Sequence, residues 1–122
     1  MEKGRCVKRR EESMRVTSRN FDKEVLKSEI PVLVEFWASW CPPCKVMEPI
    51  LHRLEREYEG RVKIVTLNVD QNPKIAFRYQ VKGLPTFIIF KNGKIVYRSV
   101  AAKSEAELRN IIEKVLNEVS GK

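Results

Sequence analysis

Three cysteines are too few, and odd in number, to staple a disulfide framework, so the economical reading is a reducing compartment with a special task for one pair. No apolar run approaches the roughly 20 residues that cross a bilayer, and residues 1–20 lack the stretch of about 7–15 apolar residues that a secretory signal carries behind its basic start. A soluble, cytoplasmic protein with no membrane role is therefore expected. Histidine is nearly missing: His52 is the one copy, and a zinc site would need it to join Cys6, Cys41 and Cys44. Cys6 lies in an apolar-poor tail, His52 falls two turns down a helix and there is no second Cys-x-x-Cys, so no metal is expected. Aromatics are absent from the locally basic segment before Arg19, which leaves nothing for bases to stack on, and nucleic acid is not an expected partner. Acidic residues are in deficit, 16 against 24 Lys and Arg, but the excess of +8 is spread along the chain and reads as solubility.

What the chain does contain is enough apolar material, 43% of 122 residues, for one core and one domain. Residues 1–13, MEKGRCVKRREES, have almost no apolar periodicity and are expected to form a disordered basic tail ahead of a domain over 14–122. Met14 is also a candidate alternative start. Beyond it the signals alternate. MRV is a short strand, and NFDKEVLKSEI puts Phe21, Val25 and Leu26 on one helical face before Pro31 ends it. VLVEF, residues 32–36, is a strand covered on both faces. Residues 44–59 carry Met47, Ile50, Leu51, Leu54 and Tyr58 on a helical stripe, with a bend expected at Pro49. VKIVTLNV, 62–69, is β-branched, and Asn72-Pro73 reads as an N-cap with proline opening a short helix through Tyr79. PTFIIF and KIVYRSV flank Asn92-Gly93, a two-residue hairpin signal. Ser104 and Glu107 form a capping box before a stripe of Leu108, Ile111, Ile112, Val115, Leu116 and Val119. The order β-α-β-α-β-α-β-β-α implies an α/β fold, a mixed five-stranded sheet flanked by four helices, with its site beyond the carboxyl ends of parallel strands.

Cys41 falls at that place, just past the strand ending at Phe36 and at the start of the next helix. The unpaired N–H groups and positive end of a helix favour a thiolate there, and Lys45 adds a cation. Cys44 lies one turn inside, close enough for a disulfide and less exposed. The asymmetry assigns Cys41 as the nucleophile toward a target disulfide and Cys44 as the residue that resolves the mixed disulfide. Pro42 and Pro43 suit a first turn, where missing N–H donors cost least. Glu35 is the one ionisable residue in VLVEF, so burial should raise its pKa toward neutrality; a solvent-paired acid at a sheet edge is the alternative. Trp40 at the rim, with Pro42, Leu84, Pro85 and Val100, would make an apolar patch for disulfide-bearing proteins.

The stretches VEFWASWCPPCK, LNVDQNP and VKGLPTFIIFKNG, followed by an amphipathic terminal helix, resemble thioredoxin from about Met14 to Val119. The resemblance implies the thioredoxin fold and a protein-disulfide reductase that works through the Cys41–Cys44 redox-active disulfide with no other cofactor. Its implied partners are disulfide-containing proteins and a flavin- and NADPH-dependent thioredoxin reductase or an equivalent electron donor, and a monomer is the expected form. It also implies that Glu35 transfers a proton for Cys44, that Pro85 is cis and leaves the Leu84 backbone free to pair with substrate, that Gly83 permits the turn, and that Trp37 contacts Asp70. A narrower task with the same chemistry, such as isomerisation, oxidation or service to one peroxidase, is the alternative. Four departures qualify the match. Glutamate replaces the usual aspartate at Glu35, Pro42 replaces glycine and removes an N–H near the Cys41 sulfur, Thr66 replaces a lysine near the acid, and Ala101 replaces a glycine of the substrate groove.

Overall fold

The computed structural model describes residues 14–121, so the expectations for the tail and for Cys6 lie outside the described residues. The elements are β1 (Met14–Arg15), α1 (Asp22–Leu26), β2 (Val32–Trp37), α2 (Pro42–Glu57), β3 (Lys63–Asn68), α3 (Pro73–Arg78), β4 (Thr86–Lys91), β5 (Lys94–Val100) and α4 (Glu105–Gly121). This is the order expected from the sequence. The strands lie in the order β1-β3-β2-β4-β5, with β1 and β2 parallel to β3, and β4 antiparallel to both β2 and β5. The strand that leads into the cysteines is thus the central one.

Alternate residues of β2, β3 and β4 feed two cores. Leu33, Ile64, Phe87 and Ile89 pack beneath Met47, Leu51 and Leu54 of α2 and Leu108 and Ile112 of α4. On the other face Val32, Val34, Phe36, Val65, Leu67, Ile88 and Phe90 pack against Phe21, Val25 and Ile75. There Phe21, Tyr79 and Phe90 meet in a mutual aromatic cluster, with ring centroids 5.3–5.7 Å apart.

Local signals account for most ends. Ser104 Oγ accepts from Glu107 N–H at 3.1 Å while Glu107 Oε1 accepts from Ser104 N–H at 2.8 Å, the reciprocal cap that starts α4. Asn92 and Gly93 both take positive φ, 54° and 79°, and turn the β4–β5 hairpin. The ladder then slips, Ile89 facing Tyr97 and Phe90 facing Ile95, so Val96 is an extra residue on β5. Two expectations are corrected. The first helix is shorter than its pattern: α1 is one widened turn in which Lys27 N–H reaches Asp22 O at 2.9 Å, and the Ser28 hydroxyl diverts the chain by bonding both polar groups of the Ile30 backbone. Asn72 stands at the N-cap of α3, but its side chain makes no cap bond. It instead accepts from Ser18 N–H at 2.9 Å and donates to Asn68 O at 3.0 Å, tying the β1–α1 turn to the loop after β3.

Candidate functional site

Cys41 is the N-cap of α2, with extended backbone, and Pro42 and Pro43 fill the first turn. Cys44, one turn on, is disulfide-bonded to Cys41 with the two Cα atoms 5.4 Å apart. The Cys44 N–H points back at Cys41 Sγ, 3.3 Å away. It is the backbone donor that reaches the sulfur; Lys45, expected to add a cation, has no hydrogen bond to it among the described residues, and its side chain is exposed. The expected difference in shielding is absent from the closed pair, since Cys41 and Cys44 are 4% and 3% exposed. Ala38 completes their cluster, and Trp37, Val69 and Leu84 pack against it.

Glu35 is 2% exposed on the central strand, between Thr66 of β3 and Phe87 of β4, which removes the sheet-edge alternative. It alternates with Leu33 and so lies on the face covered by α2. Its Oε2 has no hydrogen-bond partner among the described residues. Burial, and then the charge of Glu48, push its carboxyl up to about 8, so at neutral pH with the disulfide closed it holds a proton.

One expected contact moves from one tryptophan to the other, while Trp40 keeps its expected place at the rim. The indole that donates to Asp70 belongs to Trp40, at 2.8 Å to Oδ2, rather than to Trp37. The Trp37 N–H is buried with no partner among the described residues, and the Arg15 guanidinium stands 5.5 Å from its ring centroid. Asp70 is held in place because Asn68 Oδ1 accepts from the N–H groups of both Asp70 and Gln71, at 2.8 and 3.1 Å. Asn68 and Arg15 escaped the sequence reading; an asparagine two residues before an aspartate is a turn signal that could have found the first.

The Leu84–Pro85 bond is cis, as expected. Leu84 enters no backbone hydrogen bond among the described residues, so its N–H and C=O remain open to an extended peptide. Around it the chain is held closely. Pro85 O accepts from Ala101 N–H at 2.8 Å, and Gly83 O accepts from Thr86 Oγ1 at 2.6 Å. A Cβ on Gly83 would sit 2.9 Å from Val100 Cγ1, so the turn needs glycine for room. Pro85 is buried, contrary to its expected place in the surface patch; what reaches solvent is Trp40, 65% exposed, Val100, 50% exposed, Pro42 and part of Leu84. Ala101 has φ of 99°, a region that favours glycine.

A disulfide at a helix N-terminus, a buried acid on the strand that leads into it and a cis-proline turn beside it agree with what comparison with known proteins finds: residues 12–114 match the family model described as Thioredoxin. The chain belongs to the thioredoxin family. It is 43% identical to Thioredoxin 1 of Nostoc sp. and 44% identical to the Thioredoxin of Synechocystis sp., each over 101 residues that cover 83% of this chain and 94% of the relative. It is also 46% identical to the Thioredoxin of Rickettsia bellii over 79 residues, 65% of this chain and 75% of that one. Like other thioredoxins it is a protein-disulfide oxidoreductase, whose redox centre is the cysteine pair. Among the described residues no three His, Cys, Asp or Glu side chains are grouped to hold a metal ion. No helix among them is long and apolar enough to cross a membrane.

Proposed function

We propose that this thioredoxin reduces disulfides in other proteins through its Cys-Pro-Pro-Cys pair, acting as a cytoplasmic monomer whose residues 14–122 form the domain behind a basic tail at 1–13. In the open dithiol, Cys41 is the thiolate, favoured by the helix N-terminus and by the Cys44 N–H aimed at its sulfur. It attacks one sulfur of the target disulfide, forming a mixed disulfide and expelling the other sulfur as a thiolate. Cys44 then gives its proton to the Glu35 carboxylate and attacks Cys41 Sγ. The new Cys41–Cys44 bond releases the second target sulfur, and two electrons have passed to the target. A flavin- and NADPH-dependent reductase, or an equivalent donor, returns them, and Glu35 returns the proton to Cys44. Trp40, Pro42, Leu84 and Val100 give the target an apolar landing surface, and the unpaired Leu84 backbone receives an extended segment. Pro85 acts from beneath, and Pro43, Lys45, Trp37, Asp70 and Gly83 support this frame.

The observation that carries this reading is the closed Cys41–Cys44 bond at the start of α2. Its test compares dithiol-reduced parent, Cys41→Ser and Cys44→Ser on a disulfide-bonded protein. Cys41→Ser is expected to be inactive and Cys44→Ser to accumulate mixed disulfides on non-reducing gels; an active Cys41→Ser ends the proposal. The methyl group of Ala101, held at a φ that favours glycine, supports a second reading, a narrower set of targets for the same chemistry, which would show as slow reduction of unrelated protein disulfides beside rapid reduction of one class.

A further inference from the structure

The strand register sets Arg15, Thr66, Glu35, Phe87 and Ser99 in one row across the sheet. Glu35 in that row faces α2. On α2, Cys44, Glu48 and Leu51 follow at i, i+4 and i+7, one line along the helix. Cys44 and Leu51 are buried against the sheet, and Glu48 between them is exposed. An anion therefore stands one turn beyond the resolving cysteine, at the margin of the helix that roofs the buried acid. Among the described residues the other elements packed here do not answer it with a free cation; on α2 itself Lys45 and His52 stand at i−3 and i+4 from Glu48. From β1 comes Arg15, engaged over the Trp37 ring; β3 offers uncharged Thr66; β5 offers Tyr97 and Ser99; α4 offers apolar Leu108 and Ile112. Asp70, in the loop after β3, is occupied by the Trp40 indole.

We propose that Glu48 is a positioning residue for the exchange reaction, its carboxylate keeping the proton on Glu35 so that the acid can supply it to Cys44 when the disulfide opens. The proposal rests on the reading of Glu35 as the group that trades a proton with Cys44. When a donor thiolate attacks Cys41 Sγ, the Cys41–Cys44 bond breaks and its electron pair stays on the Cys44 sulfur. The Glu35 proton neutralises that thiolate and leaves a buried carboxylate. In the opposite direction the same negative neighbour makes the Glu35 carboxylate a stronger base toward the Cys44 thiol. That Glu48 acts on Glu35 in the direction required is borne by its contribution, second to burial, to lifting the buried acid.

The test uses the full oxidised chain. The titration of the Glu35 carboxyl is followed by carbon NMR, and the rate of opening of the disulfide by dithiothreitol is followed against pH, in the parent, Glu48→Asp, Glu48→Gln and Glu48→Lys. Glu48 is exposed, so the variants keep the fold. Glu48→Gln is expected to move both midpoints down by roughly half a pH unit, Glu48→Lys further, and Glu48→Asp little. In a Glu35→Gln background none of the three should alter the rate profile. An unmoved Glu35 midpoint in Glu48→Lys overturns the proposal, as does a moved midpoint with an unmoved rate profile. If Glu35→Gln alone keeps the parent's profile, the proton-transfer reading beneath it falls instead, and the Glu35 titration tells the two failures apart.

Discussion

The two faces of the sheet are made from alternate residues of the same strands, yet they are built to different ends. Beneath α1 and α3 the inward residues of β2, β3 and β4 are apolar, from Val32 and Val34 to Ile88 and Phe90, except for Lys63 and Thr86, whose polar atoms are paired with Glu24 and with Gly83 O. Beneath α2 and α4 one row carries Thr66, Glu35 and Ser99, and two of its oxygens, Glu35 Oε2 and Ser99 Oγ, are buried with no partner among the described residues. Unsatisfied buried polar atoms cost about 1–3 kcal/mol each, so the second face gives up stability where the first accumulates it. The difference locates the chemistry: polar groups that weaken the fold gather under the sulfur pair, and an apolar face on the same strands offsets them.

Substitutions on the two faces should therefore separate stability from pH behaviour. Phe90→Ala on the apolar face removes an edge-on aromatic partner of both Phe21 and Tyr79, and is expected to lower unfolding stability by about 3–5 kcal/mol, read by urea titration. Its pH profile for exchange should match the parent's; a displaced profile would break the division of labour between the faces. Glu35→Gln should do the converse. Glu35 titrates near 8 in the folded chain against 4.5 for its ordinary value, so between these the folded state holds a proton that the unfolded state has released. The stability from that proton is complete below about pH 4.5 and is lost as pH rises through about 8, at about 1.4 kcal/mol per pH unit in between. Urea titrations of the disulfide form at pH 5, 7 and 9 should show this decline in the parent and a flatter trend in Glu35→Gln. Equal slopes would mean that the acid is not buried as described.

The order of strands and helices was legible because each element carries its period locally, and the cysteine pair because both sulfurs and the prolines that shape their turn fall within four residues. What escaped depends on how distant elements meet. Trp37 and Trp40 are equally good neighbours of Asp70 on paper; only the turn held by Asn68 decides for Trp40. The Asn72-Pro73 pair is a sound local cap signal, yet the Asn72 side chain finds Ser18, 54 residues away, and leaves the cap bond unmade. Whether Glu35 lies at an edge or in the middle is a question of strand order, and the influence of Glu48 depends on the phase of α2 over β2.

At the polar end, Pro42 leaves the Cys44 N–H as the backbone donor on Cys41 Sγ. Pro42→Gly restores an N–H there. A hydrogen bond to a thiolate contributes about 1.5 kcal/mol, so the dithiol should be stabilised and the pair made more oxidising by about 30 mV. Equilibration with a glutathione buffer measures it, and a parent more oxidising than Pro42→Gly would contradict the assignment.

The smallest effect sharpens the comparison at the boundary where site meets scaffold. Ala101 follows β5 with φ of 99°, and its N–H donates to Pro85 O, so its backbone is held in a glycine-like conformation by the turn it supports. An L-residue held at such a φ costs about 1–2 kcal/mol, part of which glycine returns through its greater freedom when unfolded. Ala101→Gly should consequently raise unfolding stability by up to about 1 kcal/mol, equally at pH 5 and pH 9, because no titrating group is involved. If the gain appears at one pH alone, Ala101 is coupled to the Glu35 row. Removal of the methyl should also ease reduction of bulky protein disulfides relative to a short disulfide peptide. A ratio unchanged by the substitution would place target choice on Trp40 and Val100, the exposed apolar groups beside the cysteines, and leave Ala101 as strain borne for the sake of the turn.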